Sequence, residues 1–348
     1  NALYTRTGSN RLRSGPLELQ IDRETGRVNS LFDREKNVEY LGGEGICPEL
    51  IDDDSDTWTH ALSSYRGLRR KMKPESCALV SAGEVTVEYE LVYKRSKSRV
   101  IMRVILNGAL RTVDLKLRVI WNEQHRLLKL RIPTAFAGDN LSSEIPYGSI
   151  ERAADGREWP IQRWAACTGA AGAGLAVLND GVYSCSAEGG ALSLTLLRSP
   201  IYAHHEPMHP RPDLHPRYVD QGEHEFHIQL RPCGEKTTKS ELTRYALELN
   251  QPPEYVAESV HPGELPREQR FCRINRDSTV IIPVIKRSEE DDGWIIRAFE
   301  AAGQAAEADI DFCRIGVRKR FSFTAFEIKT IKITDADGAV SETNLLEW

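Results

Sequence analysis

Residues 204–216 read HHEPMHPRPDLHP and hold four histidines, His204, His205, His209 and His215, with Glu206 and Asp213. Imidazoles and carboxylates are the ligand types of zinc and other transition metals. The spacings fit no zinc class, however, and the prolines favour an extended surface loop. A second acidic set, Asp52, Asp54 and Asp56, has the alternation of a calcium loop. It fails the EF-hand pattern, because Thr57 stands at the turn glycine and Ser63 at the closing glutamate. Asp220 and Glu223 resemble an acid pair at the start of a strand, but turn carboxylates look the same. No serine sits in a nucleophile-elbow motif. The residues alone therefore assign no catalytic group and no metal ligand set within this chain.

Any such group must be positioned by strands. Val85, Val87, Tyr89, Leu91 and Tyr93 alternate on one face, as do Val100, Met102, Val104 and Leu106. Val113, Leu115, Leu117, Val119 and Trp121 make a third such run, and Leu192, Leu194 and Leu196 a fourth. Turn signals at Asn107-Gly108 and Gly189-Gly190 separate several of them. In GEHEFHIQL the same alternation puts His224 on the apolar face with Phe226, Ile228 and Leu230, as a hydrogen-bonded core histidine. QRW (162–164) reads as a strand with a buried Trp164. Many alternating strands imply an all-β protein of packed antiparallel sheets. One helix is expected near 238–249, where Thr238 and Glu241 form a capping box and Leu242, Tyr245, Ala246 and Leu249 follow at helical spacing. The proline-rich, charged segment 250–269 reads as a linker. Domains are thus expected at 1–249, with the helix at its end, and at 270–348, a small β-sandwich.

Composition limits the partners. The chain has 348 residues, net charge −5 and only short, scattered basic runs, which argues against nucleic acid. No apolar run approaches the roughly 20 residues of a membrane span. Seven cysteines at wide spacings, without CxxC, suit free thiols in a cytoplasm better than a disulfide framework. The chain opens Asn-Ala without a Met or a signal-peptide pattern, as expected of a cut point.

One ordered series of motifs is more specific. It runs LELQIDRETGRVNSLFDRE (17–35), WNEQHRLLKLRIP (121–133), EIPYGSIER (144–152), LSLTLLRSPIY (192–202), DQGEHEF (220–226), HPGELP (261–266) and FEIKTIKI (326–333). Together these resemble the C-terminal half of glycoside hydrolase family 38, the α-mannosidases. The resemblance implies a large antiparallel supersandwich, like that of galactose mutarotases, followed by a smaller β-sandwich. It also implies a hairpin turning on Asp22 and Thr25-Gly26.

The resemblance implies the chemistry as well. Family 38 enzymes are retaining exo-glycosidases, which need two carboxyl groups about 5–5.5 Å apart. They also use a zinc ion held by two Asp and two His. All of these belong to an N-terminal barrel domain for which no equivalent is found in this sequence, so the fragment is expected to be inactive alone. Its expected partners are an α-mannoside glycan and that catalytic domain, in a cytoplasmic, bacterial enzyme, with no nucleic acid or membrane and with room for a homo-oligomer. Arg198 matches a basic position reaching towards the substrate, where its fork would bond hydroxyls or hold a carboxylate ionised; a surface or interdomain ion pair is the alternative. Asp56-Thr57-Trp58-Thr59-His60 matches a segment at the pocket rim. Trp58 would face the C–H side of a sugar and Asp56 would accept a hydroxyl, unless Trp58 plugs a sandwich edge. A different reading is a stand-alone carbohydrate-binding or mutarotase-like domain. That would want a His/Glu pair on one sheet face, and adjacent Glu223 and His224 point to opposite faces. A purely structural scaffold is the third.

Overall fold

In the computed structural model the described residues are all except 1–3, 7–10, 61, 137–139, 170–171, 206–212, 214, 235, 276, 290, 336 and 348. The chain divides into two compact units, 1–143 with 151–236, and 144–150 with 237–348. All sheets are antiparallel and one α-helix occurs among the described residues. Among the described residues no helix is long and apolar enough to cross a membrane.

The first unit is built on the alternating strands. A nine-stranded sheet carries Gly222–Cys233, Thr112–Trp121, Ser98–Asn107, Thr86–Arg95 and Lys73–Ala82 as consecutive neighbours. Its register brings like with like. Met102 lies between Leu91 and Leu117, Val104 between Tyr89 and Leu115, and Leu115 next to Ile228. All of these residues are buried, and they form the core together with Leu192, Leu194 and Leu196 of the facing sheet. Period-2 patterning sends one face of each strand inward and leaves the other wet. Val85 is the exception: it precedes its strand and is exposed. Trp164 is fully buried in strand Trp164–Thr168. His224 stacks on Phe226 and its Nε2 lies 2.8 Å from the Asp220 carbonyl.

The facing sheet has six strands in the order Asp155–Pro160, Ser184–Glu188, Ala191–Arg198, Arg126–Pro133, Cys47–Asp52 and Arg69–Lys71. Gly189 and Gly190, both at positive φ, make the two-residue turn ahead of Ala191–Arg198. A further five-stranded sheet holds the predicted hairpin. There Asp22 accepts the backbone N–H groups of Glu24 and Thr25 and the Thr25 hydroxyl, and Gly26 takes φ +65°.

The second unit contains the helix Lys239–Asn250, whose N-terminus is closed by the Thr238–Glu241 capping box. Its small sandwich pairs a three-stranded sheet with a four-stranded one around Ile296, Ile310, Phe312, Phe321, Phe323 and Ile331. Residues 251–269 are exposed and carry no regular structure. The sequence puts the helix at the end of the first domain. The structure groups it instead with the second unit, where Arg244 donates to the carbonyls of Ser278 and Val280 and Leu247 packs against the Ile281–Phe299 cluster. Segment 144–150 also falls in the second unit, with the Tyr147 ring edge-on to Phe299 at 5.3 Å.

Candidate functional site

The site lies on the outer face of the six-stranded sheet. Strand Arg126–Pro133 sits between Cys47–Asp52 and Ala191–Arg198, with Leu127 opposite both Ile51 and Arg198. The segments leaving those two neighbours, 53–68 and 199–205, therefore start side by side. Along the first of them runs an open cleft of about 830 Å³, lined by Asp52 to Asp56, His60 and Leu62 to Leu68, with His205 reaching it from the second. Gly67 is required there, because a Cβ would overlap the Asp52 carbonyl.

A polar layer under the cleft fixes it. Lys129 points outward from its strand yet is only 2% exposed. Its ammonium donates to Glu158 Oε2 at 2.5 Å and to Ser186 Oγ at 2.7 Å. Burial pulls the Lys129 pKa down, against the upward pull of Glu158. Glu158 also accepts the hydroxyls of Ser184 and Thr195. Tyr65 closes this layer, with Lys129 and Arg198 both over its ring, and burial pushes its hydroxyl up to about 12.

Arg198 organises the cleft wall. Its Nε donates to Asp53 Oδ2 at 2.5 Å and its Nη2 to Ser55 Oγ at 2.5 Å. Nη2 also reaches the Asp56 carbonyl, and Nη1 the Thr57 carbonyl at 3.1 Å. The backbone N–H of Arg198 donates to Asp220 Oδ2 at 3.0 Å. Four bonds to a single loop leave the guanidinium beneath the cleft and not among its lining residues. These bonds give Arg198 a role in shaping residues 53–57.

Asp56 does line the cleft. Its side chain is 4% exposed, and its Oδ1 accepts the His60 backbone N–H at 3.1 Å. Its Oδ2 meets two imidazole nitrogens, His60 Nδ1 at 2.5 Å and His205 Nδ1. The His60 imidazole, first among these, holds the Asp56 carboxyl well below the usual carboxylate range. The two rings lie 4.5 Å apart. Trp58 is 56% exposed and 6.1 Å from the His60 ring, so it plugs no sandwich edge. Thr57 stitches the two segments together: its hydroxyl donates to the Ile201 carbonyl and accepts the His204 N–H, and its N–H donates to the His204 carbonyl.

Sequence reasoning named Asp56, Trp58 and Arg198 but missed Asp53, Tyr65 and His60 as parts of one constellation. The legible signal was an aspartate four residues before a histidine. Of the His-rich loop, His205 joins this site, whereas Glu206 and His209 lie outside the described residues. Asp220 and Glu223 do not form an acid pair: Asp220 caps the Arg198 backbone and Glu223 pairs with Arg118. The calcium alternation is not assembled either, because Arg70 and Arg126 hold Asp52 while Asp56 turns to the histidines.

These features define a two-unit all-β protein whose larger sandwich carries a carboxylate- and imidazole-lined cleft. The chain belongs to glycoside hydrolase family 38: the model of its C-terminal domain matches residues 12–213, and that of its C-terminal beta sandwich domain matches residues 279–347. The chain is 26% identical over 310 residues to alpha-mannosidase G of Dictyostelium discoideum, covering 80% of this chain and 26% of that protein. It is also 26% identical over 318 residues to human alpha-mannosidase 2C1, covering 85% and 29%. It thus spans just over a quarter of these relatives. The solved structure of an alpha-mannosidase from Enterococcus faecalis V583 superposes with a TM-score of 0.75 at 12% identity, over 94% of this chain and 42% of that one.

Proposed function

We propose that this chain is the C-terminal, non-catalytic portion of a retaining, zinc-dependent α-mannosidase. It completes the mannoside pocket from the side of the 52–68 cleft and scaffolds a catalytic barrel carried outside residues 1–348. The observation that carries this reading is the cleft: an open volume the size of a ligand site, lined by Asp52 to Asp56, His60 and His205, in a chain that spans just over a quarter of its alpha-mannosidase relatives. Asp56 is the hydroxyl-facing group, Trp58 the rim aromatic and Arg198 a positioning residue. The seven free thiols fit a cytoplasmic enzyme.

The test has two arms. Alone, with added zinc, the chain should not hydrolyse a chromogenic α-mannoside, and turnover would refute the assignment of chemistry to another domain. In the longer enzyme, Asp56→Ala and Trp58→Ala should raise KM more than they lower kcat. Unchanged constants in both variants would reduce the chain to a scaffold.

A further inference from the structure

We propose that Asp56, His60 and His205 form a binding site for a divalent ion of the zinc class, opening onto the cleft. The inference rests on the geometry of these three side chains and stands whether or not the cleft receives a mannoside. Two imidazoles and one carboxylate are a donor set that suits zinc and related transition metals and disfavours the hard, all-oxygen cations. One ligand atom from each residue lies within 4.8 Å of the other two. Both histidines present the same nitrogen, Nδ1, to the same oxygen, Asp56 Oδ2.

The site is preorganised from both sides. The His60 N–H bond to Oδ1 and the Arg198 bond to the Asp56 carbonyl fix Asp56. Thr59, at φ +56°, turns the chain so that His60 comes back over Asp56. Thr57 ties 201–204 to the same loop, which brings in His205. Without an ion, each Nδ1–H bridges to Oδ2. Around an ion with bonds of about 2.0–2.1 Å the same atoms stand about 3.3 Å apart. The opening needed along each Nδ1–Oδ2 contact is less than about 1 Å, and it falls on imidazoles that are 60% and 50% exposed. Three protein ligands leave the fourth position to water or to a hydroxyl entering from the cleft.

The experiment is a titration of the whole chain with Zn²⁺ against a competing chelator, and with Co²⁺ for its visible absorption. One equivalent should bind, raise the melting temperature and give the intense bands of tetrahedral cobalt. Affinity should fall about 100-fold or more in His60→Ala/His205→Ala, and likewise in Asp56→Asn. The double variant removes two half-exposed side chains, so its circular dichroism should match wild type and serves as the folding control should Asp56→Asn misfold. Absence of stoichiometric binding by wild type would overturn the proposal, as would undiminished binding by the folded double variant. Mannoside turnover enters none of these readouts, so failure here leaves the proposed function standing, and the reverse holds.

Discussion

Arg198 Nε and Asp53 Oδ2 meet at 2.5 Å across 145 residues of chain, with their side chains only 14% and 2% exposed. This pair joins the end of one strand to the loop leaving another. Arg198→Ala would leave the Asp53 carboxylate buried without its partner, which costs about 3–5 kcal/mol. Arg198→Lys keeps the charge but loses the fork that holds Ser55 and the Asp56 and Thr57 carbonyls, and should fall in between. Urea unfolding of the three chains gives the order; equal midpoints for wild type and Arg198→Ala would refute the clamp.

Lys129 and Glu158 make a second test. Lys129→Ala removes the cation from a carboxylate that is 15% exposed, and a loss of about 3–5 kcal/mol is expected. Changing both, as Lys129→Met with Glu158→Gln, should recover most of it, because the cost of an unpaired buried charge disappears. A double-mutant cycle measures the coupling; additive losses would show that the pair is not the source of the stability.

Asp22 gives a pH dependence with a defined sign. The Thr25 hydroxyl, first among its partners, lowers its carboxyl below the ordinary 3.8. The unfolded chain therefore binds this proton more readily than the folded one. The stabilisation is present above about pH 4 and is lost as pH falls through the folded value. Asp22→Ala should cost about 1 kcal/mol at neutral pH, and the gap to wild type should narrow below pH 4. A gap that widens on acidification would contradict the assignment.

The thiols should separate by burial. Cys47 and Cys185 are pushed up to about 12, and Cys167 and Cys233 to about 11, all by desolvation. Brief alkylation at about pH 8, read by peptide mass spectrometry, should modify the part-exposed Cys77 and Cys313 first and spare the buried four until denaturant is added, with Cys272, also pushed up to about 11 by desolvation, reacting late. Early modification of Cys185 in the native chain would show that its strand opens.

The sandwich was legible because burial on one sheet face imposes a period that local sequence must obey, as Val100, Met102, Val104 and Leu106 do. The capping box was legible for the same local reason, since Thr238 and Glu241 satisfy each other within one turn. The helix's allegiance was not legible, because it is decided by Ser278 and Ile281, beyond the linker. The site failed in the same way. Asp56 and His60 acquire meaning only after the turn at Thr59, and His205 arrives from 149 residues further on. Arg198 was recognisable by type, but the side from which it acts depends on Asp53, Ser55 and Thr57.

The cleft has a gauge set by backbone alone. Segment 53–68, which lines nearly all of it, and the segment that brings His205 spring from the strands on either side of Arg126–Pro133, so their roots are two strand spacings apart, roughly 9–10 Å. Side-chain replacement along 52–68 or at His205 can retune the lining of the cleft without changing that width. Slippage of strand against strand would offset the two roots along the strands and leave their spacing alone, and the irregularity between Leu128 and Lys129 marks where the register has already moved once. Variation in this part of the chain is thereby channelled into chemistry, while the distance between the roots stays fixed.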